Sequence, residues 1–411
     1  MDNCQLPKGY KNTEVGVIPE DWEVKRLSEI GKFSKGSGIK KDEALSGNIP
    51  CVRYGELYTR HNDYIKQFYS YISKDVSESA KKLKSGDILF AGSGETKEDI
   101  GKSVAFIDDF EAFAGGDIVI LSPENTNSLY LGYLLNAAFI QKQKASRGQG
   151  DAVVHINSTQ LGNISIPLPK EEAEQTAIAT ALSDTDALID SLEKLIAKKR
   201  DIKQGAMQQL LKPKEDWEVK KLGEVCEIFK GKGISKSQVL ESGKYECVLY
   251  GELFTTYREV ISNIVSKTNT FESIPSQKGD ILYPGSTTTT GIDLAKASTI
   301  LKNNVLLGGD IVILRKSNYD YNPIFLTYFL NTIRRNNIAQ ITKGITIHHL
   351  YGKDLADIDA EFPSIEKQNA IATILSDMDA EIEALEAKLD KYRKIKIGMM
   401  QNLLTGKIRL I

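Results

Sequence analysis

The sequence predicts an α+β protein built as an internal tandem repeat: two globular domains of mixed helix and strand, separated by two long helices that form an antiparallel coiled coil. Three observations predict it. Segments of the first half recur in the second at a nearly constant offset. Within each copy, a glycine-punctuated, β-rich stretch gives way to about forty residues of helix-forming composition. Both of those helical stretches carry the same apolar stripe, spaced alternately four and three.

The repeat comes first. DWEVKRL from Asp21 returns as DWEVKKL from Asp216, an offset of 195 (216 minus 21). KGSGI at Lys35 matches KGKGI at Lys230, and CVRYGELYT at Cys51 matches CVLYGELFT at Cys247. GDILFAGS at Gly86 matches GDILYPGS at Gly279, and GGDIVIL stands unchanged at Gly115 and Gly308. The offset drifts only between 193 and 196. A period of this length encloses whole domains rather than one stacking element of a solenoid. With 411 residues, each copy is long enough to bury a core of its own.

Within the first copy, short β-rich runs such as Ile88 to Phe90 and Ile118 to Leu121 lie between about Trp22 and Pro169, with one helical stretch around Tyr130 to Lys144. From Lys170 to Leu211 there is no Pro, and Gly occurs only at Gly205, so a single helix of ~60 Å is expected. The resulting boundaries are 1–169 for the first globular domain, 170–212 for the central helix, 213–363 for the second globular domain, and 364–411 for the C-terminal helix and tail.

The first helix has a seam of Ile178, Leu182, Thr185, Ile189, Leu192, Ile196 and Lys199; the second repeats it with Ile371, Leu375, Met378, Ile382, Leu385, Leu389 and Tyr392. Charge sets the direction. Asp184, Asp186 and Asp190 precede Lys198, Lys199, Arg200 and Lys203 on one helix; Asp377, Asp379, Glu381 and Glu383 precede Lys388, Lys391, Arg393, Lys394 and Lys396 on the other. An antiparallel pair sets acidic half against basic half, whereas a parallel pair sets like against like. Two similar domains on such a pair are expected to be related by a pseudo-two-fold axis, a symmetry suited to duplex DNA. Because the domains differ in sequence, they would read two different half-sites, with the helices setting the gap.

Composition limits the partners. At 41% hydrophobic and 26% charged residues, the chain is neither disordered nor fibrous. Lys and Arg total 53 against 55 Asp and Glu, so the net charge of -2 gives no whole-molecule attraction for nucleic acid or an anionic membrane, and any such partner must meet a local patch. No apolar run approaches a membrane span, and the first twenty residues carry Asp2, Lys8, Lys11, Glu14 and Glu20, so a cytoplasmic protein with no membrane partner is expected. Cys4, Cys51, Cys226 and Cys247 form no CxxC pair and have no His at ligand spacing, so no metal site is expected.

The two copies also sort residues by role. Where they agree, as at Trp22 and Trp217, Leu57 and Leu253, or the GGDIVIL strands, the shared demand is folding or a common partner. Where a matching loop differs, its side chains are available to read bases. In the first domain these are Arg53, Tyr58, Thr59, Arg60, His61, Ser93, Glu95, Thr96, Lys97, Arg147, Gln149 and His155. In the second they are Thr255, Thr256, Tyr257, Arg258, Ser286, Thr287, Thr288, Thr289, Thr290, Lys343, Thr346, His348 and His349. Lys35, Lys40, Lys41, Lys230, Lys232 and Lys236 lie beside the glycines of the KGxGI element, where small residues allow a phosphate to approach the backbone.

Catalytic motifs do not survive the same comparison. Asp87, Glu95 and Lys97 form a D…ExK arrangement of the nuclease kind, but the second copy keeps only Asp280 and has Thr287 to Thr290 in place of the rest. A structural Gly-Asp turn accounts for both copies. Gly101, Lys102 and Ser103 lack the first glycine of a phosphate-binding loop, because Thr96 stands there. Asn322, Pro323, Ile324 and Phe325 read as a helix start with Pro in its first turn rather than as an adenine clamp. No catalytic residue is expected in this chain.

Taken with the repeat, QTAIATALSDTDALIDSLEKLIAKKRDIKQGAMQQLL from Gln175, QNAIATILSDMDAEIEALEAKLDKYRKIKIGMMQNLLTGKIRL from Gln368 and IPEDWEVKRLSEI from Ile18 make the chain resemble the specificity subunit of type I restriction-modification systems over essentially its whole length. The resemblance implies two target recognition domains, each reading one half of a split DNA site, and helices that set the spacing and dock two modification subunits. It implies no cofactor in this chain. S-adenosylmethionine for adenine methylation belongs to the modification subunits, and ATP and Mg²⁺ to restriction subunits. The near-neutral charge departs from a simple DNA-binding expectation and leaves part of the phosphate contact to those partners. The competing reading is a two-headed adaptor that binds proteins only.

Overall fold

The computed structural model describes residues 6–150 and 153–410; Asp2 and Cys4 lie outside them. The chain forms two compact units, Met1–Leu192 with Lys388–Ile411, and Glu193–Ala387. The helices Glu172–Leu210 and Ile365–Leu403 are both 39 residues long. Each unit therefore comprises one globular domain together with one part of each helix.

In the first unit, Ser103–Ala105, Ile88–Ala91, Ile118–Pro123 and Gly31–Lys35 form an antiparallel four-stranded sheet in that order. A second sheet orders Ser70–Ile72, Ile49–Val52, Phe113–Ala114 and Lys81–Lys82, with one parallel pair, Phe113–Ala114 on Ile49–Val52. The second unit repeats the plan with two five-stranded sheets, centred on Ile281–Pro284 and Tyr245–Val248. The expected strands are thus present, and they are buried on both faces: every side chain of Ile88–Ala91 and Ile281–Pro284 is buried. That burial explains why these runs read as continuous apolar stretches rather than as an alternation.

The expected helix around Tyr130 to Lys144 is two helices, Ser128–Leu134 and Ala138–Arg147. Asn136 sits at the break. Its carboxamide oxygen accepts from the Ser103 backbone N–H at 3.2 Å, and its Nδ2 donates to the Ser103 carbonyl at 2.8 Å. Asn331, in the last turn of Pro323–Thr332 ahead of Arg335–Gln340, bonds Ala297 in the same way, at 2.7 and 2.9 Å. A side chain that satisfies a strand's backbone in this way competes with continuation of the helix.

Within each unit the helix segments run antiparallel, as the charge pattern predicts. Lys199 pairs with Glu381 at 2.6 Å and Lys203 with Asp379 at 2.5 Å in the second unit; in the first, Lys396 pairs with Asp186 at 2.7 Å. Seam residues Ile178, Leu182, Ile189, Leu192, Ile196, Ile371, Leu375, Ile382 and Leu389 are buried, while Met378 and Leu385 are half-buried.

The helices are tied to their domains by a charged node that occurs twice. In the first unit, Lys396 Nζ lies 2.8 Å from Asp63 and 2.7 Å from Asp186, while the Tyr133 hydroxyl donates to Asp186 at 2.8 Å. In the second, Lys203 pairs with Asp379, which also accepts from the Tyr328 hydroxyl, and Glu259 lies 3.9 Å away. Burial alone would lower the Lys396 ammonium, but Asp63 and Asp186 overcome it and hold the group above its ordinary value. Further along the same helix pair in the first unit, Trp22 Nε1 donates to Glu174 at 3.1 Å, and Arg409 bridges Glu174 and Asp21 from the tail.

The three described cysteines are buried free thiols, and burial pushes Cys51 up to about 12 and Cys226 and Cys247 to about 11. No helix among the described residues is long and apolar enough to cross a membrane.

Two predictions follow from burial of charge. Lys396→Met leaves Asp63 and Asp186 facing each other without a cation, so the first unit should lose about 3–5 kcal/mol, read from the urea unfolding midpoint of that unit; replacing all three charged groups by apolar residues should recover most of the loss. Lys144 is fully buried, donates to the Gly101 carbonyl at 2.7 Å, and burial lowers it from 10.5 to about 7. The folded lysine releases its proton before the unfolded one does, so its contribution is complete above pH 10.5 and is lost as pH falls toward 7. Stability should rise with pH across that window, and Lys144→Met should flatten the rise in urea titrations at pH 7, 8 and 9.

Candidate nucleic-acid interface

Two surfaces collect most of the candidates in each domain. The first is a ridge of two loops held together by a two-rung ladder. Ser93–Gly94 pairs with Val154–His155, and Ser286–Thr287 pairs with His348–His349. The ladder places Glu95, Thr96 and Lys97, all exposed, beside exposed Gln149 and His155. In the second domain it places Thr288, Thr289 and Thr290 near Lys343, Thr346, His348 and His349. Reciprocal backbone bonds join Gln149 with His155 at 2.9 and 2.7 Å, and Lys343 with His349 at 2.9 and 2.8 Å.

The chemistry of the two ridges differs. The first offers a carboxylate, an ammonium, an amide and an imidazole, with Ser93 Oγ 2.9 Å from His155 Nδ1. The second is rich in hydroxyls: Thr289 and Thr290 donate to Asp293 at 2.6 and 2.8 Å, which holds that carboxyl below its ordinary value. Ile345, at the tip of the second ridge, is 97% exposed, and nothing in its composition class had marked it. Amides, hydroxyls and an exposed aliphatic are the groups that discriminate base edges and thymine methyls in a groove.

The second surface is a cleft lined by the KGxGI loop, the YGEL turn and the GGD turn. It measures 910 Å³ in the first domain and 1160 Å³ in the second. Lys41, Arg53, Thr59 and Arg60 line the first; Lys230, Lys232, Lys236 and Thr255 line the second. The loop takes its shape from left-handed backbone at Gly38 and Ile39, φ 62° and 57°, and at Gly233 and Ile234, φ 64° and 43°. A β-branched residue in that region is strained, and the same strain recurs in both copies. Lys35 and Lys40 are exposed beside the first cleft, and Lys230 pairs with Asp310 at 3.2 Å.

Other candidates lie inside the fold or are engaged by it. His61 and Tyr257 are buried, and burial lowers the His61 imidazole while raising the Tyr257 phenol to about 12. The Tyr58 hydroxyl donates to the Ser93 carbonyl at 3.0 Å. Ser93 and Ser286 are buried under their ladders. Arg147 donates to the Gln143 and Asn163 carbonyls, and Arg258 pairs with Glu386. Thr256 is exposed and shares a hydrogen bond with Thr255 at 3.3 Å. A sequence offers polarity but not direction, so these side chains read like their exposed neighbours.

The nuclease-like carboxylates have structural work. Asp87 accepts from the Lys84 N–H at 2.8 Å and from Ser122 Oγ at 2.6 Å; Asp280 accepts from the Gln277 N–H at 2.8 Å and pairs with Arg315 at 2.7 Å. Both close the same Gly-Asp turn. Asn322 caps its helix, accepting from Ile324 and Phe325 N–H at 2.9 and 3.1 Å with Pro323 in the first turn.

The ridge analysis yields a stability prediction that separates readout from scaffold. Asp280→Asn removes a buried charge and leaves half-buried Arg315 without its counter-ion, which should cost about 3 kcal/mol, whereas Gln149→Ala on the exposed ridge should change stability by less than about 0.5 kcal/mol. Thermal unfolding of the two variants checks both.

Known proteins with this organisation are recognisable. The family described as type I restriction modification DNA specificity domain matches residues 19–199 and again 214–391. The type I restriction enzyme MjaVIII specificity subunit of Methanocaldococcus jannaschii is 28% identical over 441 residues, covering 96% of this chain and 94% of that one. In fold, the chain is similar to the S subunit of the type I restriction-modification system of M. genitalium, with a TM-score of 0.61 at 16% identity, covering 93% of this chain and 96% of that one. It is also similar to a chain from a structure of complex assembly and conformational transition of the type I R-M system, with a TM-score of 0.52 at 15% identity, covering 95% of this chain and 99% of that one. With one match to the specificity domain in each copy of the repeat, the chain belongs to the type I restriction-modification DNA specificity family.

Proposed function

We propose that this chain is the DNA sequence-recognition subunit of a type I restriction-modification complex, without catalysis of its own. The observation that carries the reading is the double family match, which spans both globular domains and most of both helices. Each globular domain reads one half of a split, asymmetric site. The support is chemical: the scaffold repeats, while the two ridges present different side chains, Glu95, Lys97 and Gln149 against Thr288 to Thr290 and Thr346. Different donors and acceptors on the same frame select different bases.

The helices fix the gap between half-sites and dock two modification subunits. Those subunits would supply S-adenosylmethionine-dependent adenine methylation, and restriction subunits would supply ATP- and Mg²⁺-dependent cleavage. A net charge of -2 fits a subunit that shares phosphate contacts with such partners. The reading as a protein-only adaptor is not favoured, because the specificity-domain match extends through both ridges and both clefts.

Co-expression with the modification subunit encoded beside it, in a host free of DNA methylation, should place N6-methyladenine at one bipartite motif with a fixed gap. An assembled complex that leaves the genome unmethylated would overturn the proposal. Inserting one matching heptad into both helices should lengthen the gap while leaving both half-sites unchanged, read by the same genome-wide map.

A further inference from the structure

The cleft beside each ridge carries residues that neither the fold nor base readout explains. Lys41 and Lys236, Tyr54 and Tyr250, and Gly55 and Gly251 occupy matching positions and are identical in the two copies. Around them Lys40 has become Ser235, Arg53 has become Leu249 and Tyr58 has become Phe254, while Cys51, Val52 and Leu57 are kept as Cys247, Val248 and Leu253. Those kept neighbours are fully buried, so core packing accounts for them; the lysines and tyrosines are exposed and need another cause.

Packing is not the cause. Tyr54 is 42% exposed and Tyr250 is 40% exposed, and neither hydroxyl has a hydrogen-bond partner among the described residues. A Cβ added at Gly55 or Gly251 would meet nothing within 4 Å, and neither glycine has a positive φ. Gly55 stands inside the first turn of its helix, where open space and ordinary backbone give no conformational need for glycine; Gly251 is the N-cap of its helix, where glycine is tolerated but not required. In both domains, therefore, the fold leaves a bare stretch of backbone beside an exposed tyrosine and an exposed lysine.

Three of the cleft carboxylates are already engaged. Glu56 accepts from Ser70 Oγ and from the Arg53 N–H at 3.0 Å; Glu252 accepts from Ser266 Oγ and from the Leu249 N–H at 2.9 Å. Asp310 is paired with Lys230 at 3.2 Å. Asp117 in the first cleft and Glu272 in the second have no such pair among the described residues.

We propose that this cleft is a sequence-independent clamp on the DNA sugar–phosphate backbone, used once in each half-site. The inference rests on the recognition reading above. Two domains that read different half-sites share only one feature of their ligand, the backbone, so residues held identical and exposed in both meet that shared part. Lys41 and Lys236 supply the charge and the Tyr54 and Tyr250 hydroxyls donate to phosphate oxygens. Gly55 and Gly251 leave room for a sugar to lie against the main chain.

The test uses the full chain assembled with its modification subunits. Binding to a random-sequence duplex and to a duplex carrying the mapped motif is measured across a salt series for wild type, Lys41→Gln/Tyr54→Phe and Gly55→Ala. Both variants should bind both duplexes roughly tenfold more weakly, by a similar factor on each, and the lysine variant should flatten the salt slope by about one. The methylated motif should stay the same, and Gly55→Ala should unfold at the same temperature as wild type or higher. Unchanged affinity and slope would overturn the proposal, as would an altered motif, which assigns the cleft to base readout. Loss of a modification subunit from the variant complex would also overturn it and make the cleft a protein contact. A wild-type complex that binds neither duplex at low salt would sink the recognition reading and the clamp together.

Discussion

The structure depends on where one largely buried, ion-paired ammonium per unit goes. Lys396 in the first unit and Lys203 in the second each bind an aspartate of the other helix, Asp186 and Asp379, that also holds a tyrosine of the globular domain. Apolar seams tolerate sliding by a heptad, because leucine and isoleucine knobs fit any equivalent hole. A buried ion pair does not, since any other register strands a charge out of water. The node therefore sets the register of the helices within each unit and, through Tyr133 and Tyr328, the seating of the domain on them.

Above that node, the domain is a stiff frame for loops. Asn136 and Asn331 stitch the helical pair to a buried strand, and Asp87 and Asp280 close the turns that start the central strands. The exposed polar side chains of the ridges are then carried on short connections between fixed points, the ladder rungs Ser93–His155 and Ser286–His349. Loop residues can change there without loss of the core. One frame thus carries two different sets of ridge side chains beside a cleft that recurs in both copies.

Much of this was legible in the sequence for a physical reason. Repetition, apolar spacing and charge sign are properties of the linear pattern, so the duplication, the two long helices and their antiparallel sense could be read directly. The ladder ridges were also foreseen as loops where the copies differ. Three features were not legible. The break at Asn136 depends on a strand 33 residues earlier. His61 and Tyr257 looked like readout residues, yet they face inward. Lys203 and Lys396 counted as ordinary members of basic helix halves, although both are nearly buried.

The sequence by itself thus determined the two-copy plan, the helical seam and the family of the chain, because these follow from short-range periodicity and from self-similarity. Only the tertiary structure decided which polar side chains point outward, which carboxylates are spent on turns and caps, and which shared residues stand exposed beside an open cleft. Those choices depend on groups brought together from distant parts of the chain, where burial and hydrogen bonding rather than residue type set the role of each side chain.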